Sequence, residues 1–240
     1  MRFEKILNPI RTPKTPVVES PMMAFILALI AGCLNGYTYH KIKAFSTLQS
    51  GNFILLGDSA ATGDWEQFRR IIWVGIAFGL GSMTTAFIAY LEEERRKTWA
   101  FVILSFEVLL LTILGTGILD GYLTITHICL IISFIAGMQG NAFHKVDGMT
   151  YGNVAITPVL QEAFNFLMLT LVGRLHALIK SLIFFYVIAG FALGGFIGTI
   201  ATAHFNEKML FFPALVLLLV LIYLLYAKDD EGEPIDSHYS

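Results

Sequence analysis

The sequence is short of charge. Of its 240 residues, 14% are Asp, Glu, Lys or Arg and 56% are hydrophobic, whereas an ordinary soluble domain carries about 25% charged residues. That deficit leaves no room for a separate soluble domain. Cysteine is scarce as well. Cys33 and Cys129 are the two present. Both lie inside apolar stretches, so they form no disulfide framework or thiolate metal site and read as small packing residues. There is no HExxH pair, phosphate-binding glycine loop, nucleophile elbow or paired-carboxylate spacing. An enzyme is therefore the least supported class, and no cofactor or metal is implied. His40 and His144 stand alone at the ends of apolar stretches and read as interface anchors. A net charge of −2 gives no footprint for nucleic acid. Four of the seven prolines fall within Met1 to Pro21, which lacks the apolar core of a signal peptide and reads as an extended tail.

What is present is long apolar sequence. A membrane-spanning helix needs about 20 mostly apolar residues, and six windows qualify: about 22–40, 71–91, 100–119, 125–144, 180–203 and 209–227. The expected fold is all-α: a polytopic helix bundle of about six spans in one transmembrane domain, residues 22–227, with tails at 1–21 and 228–240. Sorting the 16 Lys and Arg residues by side gives 11 on the side of both termini. The positive-inside rule then puts both termini in the cytoplasm of a bacterial plasma membrane. The segments 47–62 and 151–173 are also fairly apolar. Counting both as spans would divide the basic residues nearly evenly, so they are expected to be re-entrant or interfacial helices after helices one and four.

A short phrase occurs twice. Ser50-Gly51-Asn52-Phe53 follows the first apolar window and Tyr151-Gly152-Asn153-Val154 follows the fourth, 101 residues later. Further on, Ala77-Phe78-Gly79-Leu80-Gly81 matches Gly190-Phe191-Ala192-Leu193-Gly194 at a spacing of 113. Each half, 22–119 and 125–227, reads as helix, Gly-Asn segment, Gly-rich helix, apolar helix. Three spans per half would invert the second half relative to the first, a common plan for transporters.

The phrases ALIAGCLNGYTY and FSTLQSGNFILLG, then FIAGMQGNAFHKV and MTYGNVAIT, resemble the YoaK family of bacterial integral membrane proteins. The resemblance runs from about Met22 to Tyr226. It implies about six helices and a membrane location, and it supplies no substrate, because that family is a domain of unknown function.

Glycine at 51 and 152 frees the backbone from helical geometry, and a neighbouring Asn supplies two donors and an acceptor. Asn35, Gln49, Gly51, Asn52, Gln139, Asn141, Gly152 and Asn153 are the candidate ligands for a small solute or ion at the midplane. The same Gly-Asn pairs also suit helix caps and turns. Glu107 sits mid-window, where a charge costs about 2.5–3.5 kcal/mol on insertion scales. It reads either as a coupling acid or as a structural residue paired with His127, His144 or a Thr. Glu162 lies on a polar stripe with Gln161 and Asn165, suited to a cavity lining or to an interfacial helix. The Gly75/Gly79 and Gly190/Gly194/Gly198 series are expected to pack helices two and five together or to form a homodimer face. The function expected is transport of a small solute or ion. The alternative is a non-transporting scaffold, sensor or subunit acting through its glycine faces.

Overall fold

The computed structural model describes residues 16–91, 96–119 and 121–226. Both terminal tails beyond these limits and the Glu92 to Arg95 part of the charge run lie outside the described residues. The chain runs α1 (Pro21–Ile42), α2 (Gln49–Thr62), α3 (Trp65–Leu91), α4 (Arg96–Gly115), α5 (Ile125–Ala142), a hairpin of β1 (Lys145–Val146) and β2 (Met149–Thr150), α6 (Ile156–Leu171), α7 (Ala177–Phe205) and α8 (Phe211–Tyr226). Two 3-10 turns, Val17–Glu19 and Asn206–Leu210, precede α1 and join α7 to α8.

Local chemistry sets these boundaries. Ser20 caps α1, its Oγ accepting from Met23 N–H at 3.2 Å, with Pro21 at the first helical position. α2 stops at Gly63, which takes φ 77°. Thr124 and His127 form a reciprocal cap at the start of α5. Asp147-Gly148 turns the hairpin with φ 48° and 71°, the left-handed pair favoured in two-residue hairpins.

Four stretches are long and apolar enough to cross a membrane: Pro21–Ile42, Trp65–Leu91, Ile125–Ala142 and Ala177–Tyr226. The last is a single apolar run of 50 residues, but the chain turns at Asn206, φ 51°, and α8 packs on α4 rather than continuing α7. α4 and α6 contribute shorter apolar helices. α2 and α6, the segments expected to re-enter or lie at an interface, have 14 and 16 residues, about 21 and 24 Å, less than the ~30 Å hydrocarbon core. Exposed Trp73, Ile76, Leu80, Met83 and Phe87 line one side of α3, an apolar surface of the kind that faces lipid. The protein is an integral membrane protein.

α1 and α5 stand at the centre. α1 packs on α7, α5 on α3, α2 on α3, α6 on α7, and α4 on α8, while α1 touches α5. This pattern is unchanged when the first four helices are exchanged for the last four. The match extends to single atoms. A Cβ on Gly32 of α1 would stand 2.1 Å from the Phe191 carbonyl oxygen of α7, and one on Gly137 of α5 would stand 2.1 Å from that of Phe78 on α3. In the reverse direction, Gly194 meets Leu29 O at 1.9 Å and Gly81 meets Phe134 O at 1.9 Å. The α1 and α5 positions are 105 apart in sequence, and the α3 and α7 positions are 113 apart.

These contacts correct the expectation that the two Gly-rich helices pack on one another. The glycine faces of α3 and α7 each grip a central helix, not one another. Gly81 carries the α3 contact. A Cβ on Gly79 would meet nothing within 4 Å, and one on Gly75 would meet only Gln49 Oε1, at 3.8 Å.

Candidate functional site

α1 ends at Lys43, φ 54°, and the following chain, Ala44 to Leu48, folds inward. Ala44 and Ser46 are fully buried and Thr47 nearly so. Buried backbone groups at membrane depth must find partners within the protein, and polar side chains supply them here. Asn35 Oδ1 accepts from Thr47 N–H at 3.0 Å and its amide donates to the Thr47 hydroxyl. Thr38 Oγ1 accepts from Ser46 N–H at 3.0 Å. Asn52 takes both groups of Phe45: Oδ1 accepts from N–H at 2.8 Å, and Nδ2 lies 2.7 Å from the carbonyl oxygen. Gln49 donates to Ser46 O at 3.2 Å. Ser133 of α5 lies 3.1 Å from the same oxygen. The sequence therefore brings Asn35, Gln49, Gly51 and Asn52 together around one loop. Gly51-Asn52 does not break a helix, because it sits in the first turn of α2. A Cβ on Gly51 would press on the Phe45 ring at 3.2 Å.

The second phrase is arranged differently. Gly152-Asn153 lies in non-helical chain between the hairpin and α6, with Tyr151 N–H donating to His144 O at 2.9 Å. Asn153 and Gln139 are both fully buried. Asn153 Nδ2 is 3.4 Å from Gln139 backbone O, and Gln139 Nε2 is 3.3 Å from Leu27 O of α1. Each amide nitrogen faces a carbonyl, which fixes how both amides are turned. Gln139 Oε1 and Asn153 Oδ1 are then left with no hydrogen-bond partner, a state that costs about 1–3 kcal/mol per group.

The two polar centres sit at different depths. Asn35 and Leu27 are eight residues apart on α1, about 12 Å. α5 serves both, through Ser133 at the first loop and Gln139 at the second. The remaining candidates lie apart from them. Asn141 donates to Ser82 O of α3 at 2.8 Å. Glu162 is half-buried on α6. Glu107 is 1% exposed among core residues of α4 that include Leu104 and Leu111, and neither carboxylate oxygen has a partner. Neither histidine expected as a mate serves it. His127 is engaged in the Thr124 cap, and His144 Nδ1 lies 3.1 Å from Asn141 O. Among the described residues, no three His, Cys, Asp or Glu side chains cluster as metal ligands.

Three features escaped the reading of the sequence. The hairpin was signalled by Asp147-Gly148. Ser133 and Thr38, which hold the first loop, carried no distinguishing signal in an apolar helix. At the far end of α1, Lys41 Nζ lies 2.9 Å from Glu207 Oε1 and 2.9 Å from Asn206 Oδ1. Burial pushes the Glu207 carboxyl up, but the hydrogen bond from Lys41, its own backbone N–H, the Lys41 charge and the Tyr37 hydroxyl outweigh it and hold the carboxyl below its ordinary value.

No curated protein and no solved structure matches the chain. A family model does, over residues 23–223, under the description "Protein of unknown function (DUF1275)". This bears out the YoaK resemblance. The match covers most of the chain, and the protein belongs to this DUF1275 family of unknown function.

Proposed function

We propose that the protein carries a small solute or ion across the bacterial plasma membrane. In this reading it is one domain of six spans, built as two inverted three-span halves with both termini in the cytoplasm. The single observation that carries the reading is the presence of buried polar acceptors without donors, Gln139 Oε1, Asn153 Oδ1 and the Glu107 carboxylate, inside a helical membrane protein. Polar groups there are costly and mark ligand and ion paths. The paired 105 and 113 spacings of the helix crossings support the repeat. The two inward-folded loops at different depths support a path reached from opposite faces.

Glu107 is the coupling acid in this scheme. An ionised, unpaired carboxylate in an apolar core is prohibitively costly, so Glu107 holds a proton or meets a cation at each turnover. The scaffold alternative depended on free glycine faces. Gly190, Gly194 and Gly198 lie against α1 of the same chain, which takes the α7 face from it, whereas the Gly75/Gly79 face of α3 stays open to a partner.

The test is flux into proteoliposomes of purified protein, with a panel of small solutes and cations and with a pH gradient imposed or absent. Glu107→Gln is expected to keep the fold and lose the response to the gradient. Gradient-driven flux that is the same in Glu107→Gln as in the natural protein would remove Glu107 from the mechanism. No flux of any panel member would remove transport.

A further inference from the structure

We infer that Glu107 is an exchangeable proton site, filled at neutral pH and closed to metal cations. The inference rests on the reading of Glu107 as the coupling acid and names the one ion it takes. Glu107 belongs to the buried stripe of α4, with Ala100, Ile103, Leu104, Leu111 and Leu114. Their recurrence at three and four residues puts these side chains on one helix face. Metal cations need a shell of oxygens, about six to eight for calcium and about six for magnesium, and one carboxylate offers two. The other members of the stripe are aliphatic and carry no side-chain oxygen. Backbone oxygens within α4 are committed to the bonds of the helix itself. The buried residues of α8, which packs on α4, are Pro213, Ala214, Leu217, Val220, Leu221 and Leu224, again without side-chain oxygen. On α1 and α5, Asn35, Thr38 and Ser133 are engaged with the first loop, and Gln139 with Leu27 O. A proton needs neither a shell nor a cavity. It neutralises the group, and a neutral carboxyl is far less costly in an apolar core than a carboxylate.

The elements packed against α4 are α8, the Asn206–Leu210 turn, α5 and α3. Their titratable groups are engaged or exposed, apart from the buried thiol of Cys129 on α5. α8 carries Tyr223 and Tyr226, both exposed. On the turn, Glu207 pairs with Lys41 and Lys208 is exposed. His127 of α5 is held in the Thr124 cap. On α3, Glu66 pairs with Arg70, and Arg69 and Tyr90 are exposed. No donor among them reaches either Glu107 oxygen. Arg96 and Lys97 open α4 itself, and Glu107 follows Lys97 by ten residues, about 15 Å along the helix. Glu19 is the other buried acid among the described residues. It lies before α1, where its backbone oxygen accepts from Asp147 N–H at 2.8 Å, and it is not without a partner. Glu107 is the buried acid with both oxygens unbonded.

The experiment is infrared spectroscopy of the full chain in proteoliposomes at neutral pH. It reads the C=O stretch of a protonated carboxyl in the difference between the natural protein and Glu107→Gln, a subtraction that cancels any contribution from Glu19. One carboxyl band is expected. It should be the same in NaCl, KCl, MgCl2 and N-methylglucamine chloride, and it should shift in D2O as the proton exchanges. Glu107→Asp keeps an acid and is expected to keep a band at a displaced frequency, which carries the test if the glutamine variant does not fold. No carboxyl band means an ionised Glu107 and overturns the inference. A band removed by one of the metal salts overturns the closure to metal cations. A band that stays unshifted in D2O marks a structural acid and overturns the exchange. Flux measured on the same vesicles separates the two readings. An exchangeable band without flux of any solute or ion removes transport and leaves the proton site. Flux driven by a sodium or potassium gradient, with no carboxyl band, removes the proton site and leaves transport.

Discussion

Replacing Gly81 by alanine, and Gly79 by alanine in a separate variant, gives two substitutions of identical chemistry two residues apart on α3. Their environments differ sharply. At position 81 the new methyl would stand 1.9 Å from Phe134 O and 2.9 Å from Phe134 C. A carbon normally approaches a carbonyl oxygen to about 3.3 Å, so α3 and α5 must separate by ~1.4 Å. That opening stretches the bond from Ser82 Oγ to Gly137 O, now 3.2 Å, and the one from Thr85 Oγ1 to Met138 O, now 3.0 Å, past the useful range. Two interhelical bonds in a membrane are worth about 0.6 kcal/mol each, and overpacking itself costs about 1–3 kcal/mol. Against this, alanine gains up to about 1 kcal/mol in helix propensity. The net loss for Gly81→Ala comes to about 1–3 kcal/mol.

At position 79 there is nothing within 4 Å, and only the propensity gain remains. The two variants should therefore shift stability in opposite directions. Unfolding in mixed micelles, titrated with denaturing detergent and read by circular dichroism, measures the difference. Gly194→Ala on α7, whose methyl would stand 1.9 Å from Leu29 O, should fall with Gly81→Ala. If Gly81→Ala and Gly79→Ala unfold within about 0.5 kcal/mol of each other, the paired-crossing account is wrong.

Two further outcomes can be read on the same preparations. Asn52→Ala strips partners from both Phe45 N–H and Phe45 O and should cost about 2–6 kcal/mol at about 1–3 per orphaned group. A wild-type unfolding curve for the alanine variant would refute the loop-holding role. For Glu207, the folded carboxyl is held below its ordinary value, so its stabilising contribution is present above the unfolded carboxylate pKa of about 4.3. It is lost as pH falls through the folded value. Lys41→Met should flatten that acid-side fall in melting temperature, and an unchanged profile would mean that the 2.9 Å pair contributes nothing.

Much of the fold was legible because its signals are local. Apolar windows located the helices, and the Ala77–Gly81 and Gly190–Gly194 match pointed to a glycine-rich helix in each half. What those glycines face was not legible. Spacing on one helix says that a neighbour comes close, and it does not say which neighbour. The choice of α1 and α5 as partners depends on how eight helices share a limited space, which no short phrase encodes. The Gly-Asn phrases illustrate the same limit at the site. They look alike as text, yet Gly51-Asn52 begins a helix and binds the loop before it, while Gly152-Asn153 stays unwound beside Gln139. The chain before the second phrase is taken up by the β1–β2 hairpin, whereas the chain before the first folds inward as an irregular loop. Glu107 was visible as an anomaly of hydropathy, but its lack of a partner became visible only once the surrounding helices were in place.

The two helix crossings share a backbone geometry but not a chemistry. On the α3–α5 side, Ser82, Thr85 and Asn141 reach across with directed bonds to Gly137 O, Met138 O and Ser82 O. At the matching points of α1–α7 stand Gly195, Gly198 and Gly36, which offer close contact and no side chain to bond. At the α3–α5 joint a small side chain both fits the crossing and bonds across it, so substitution there costs a bond as well as a fit. At the matching points of α1–α7 a substitution only adds bulk against the facing backbone.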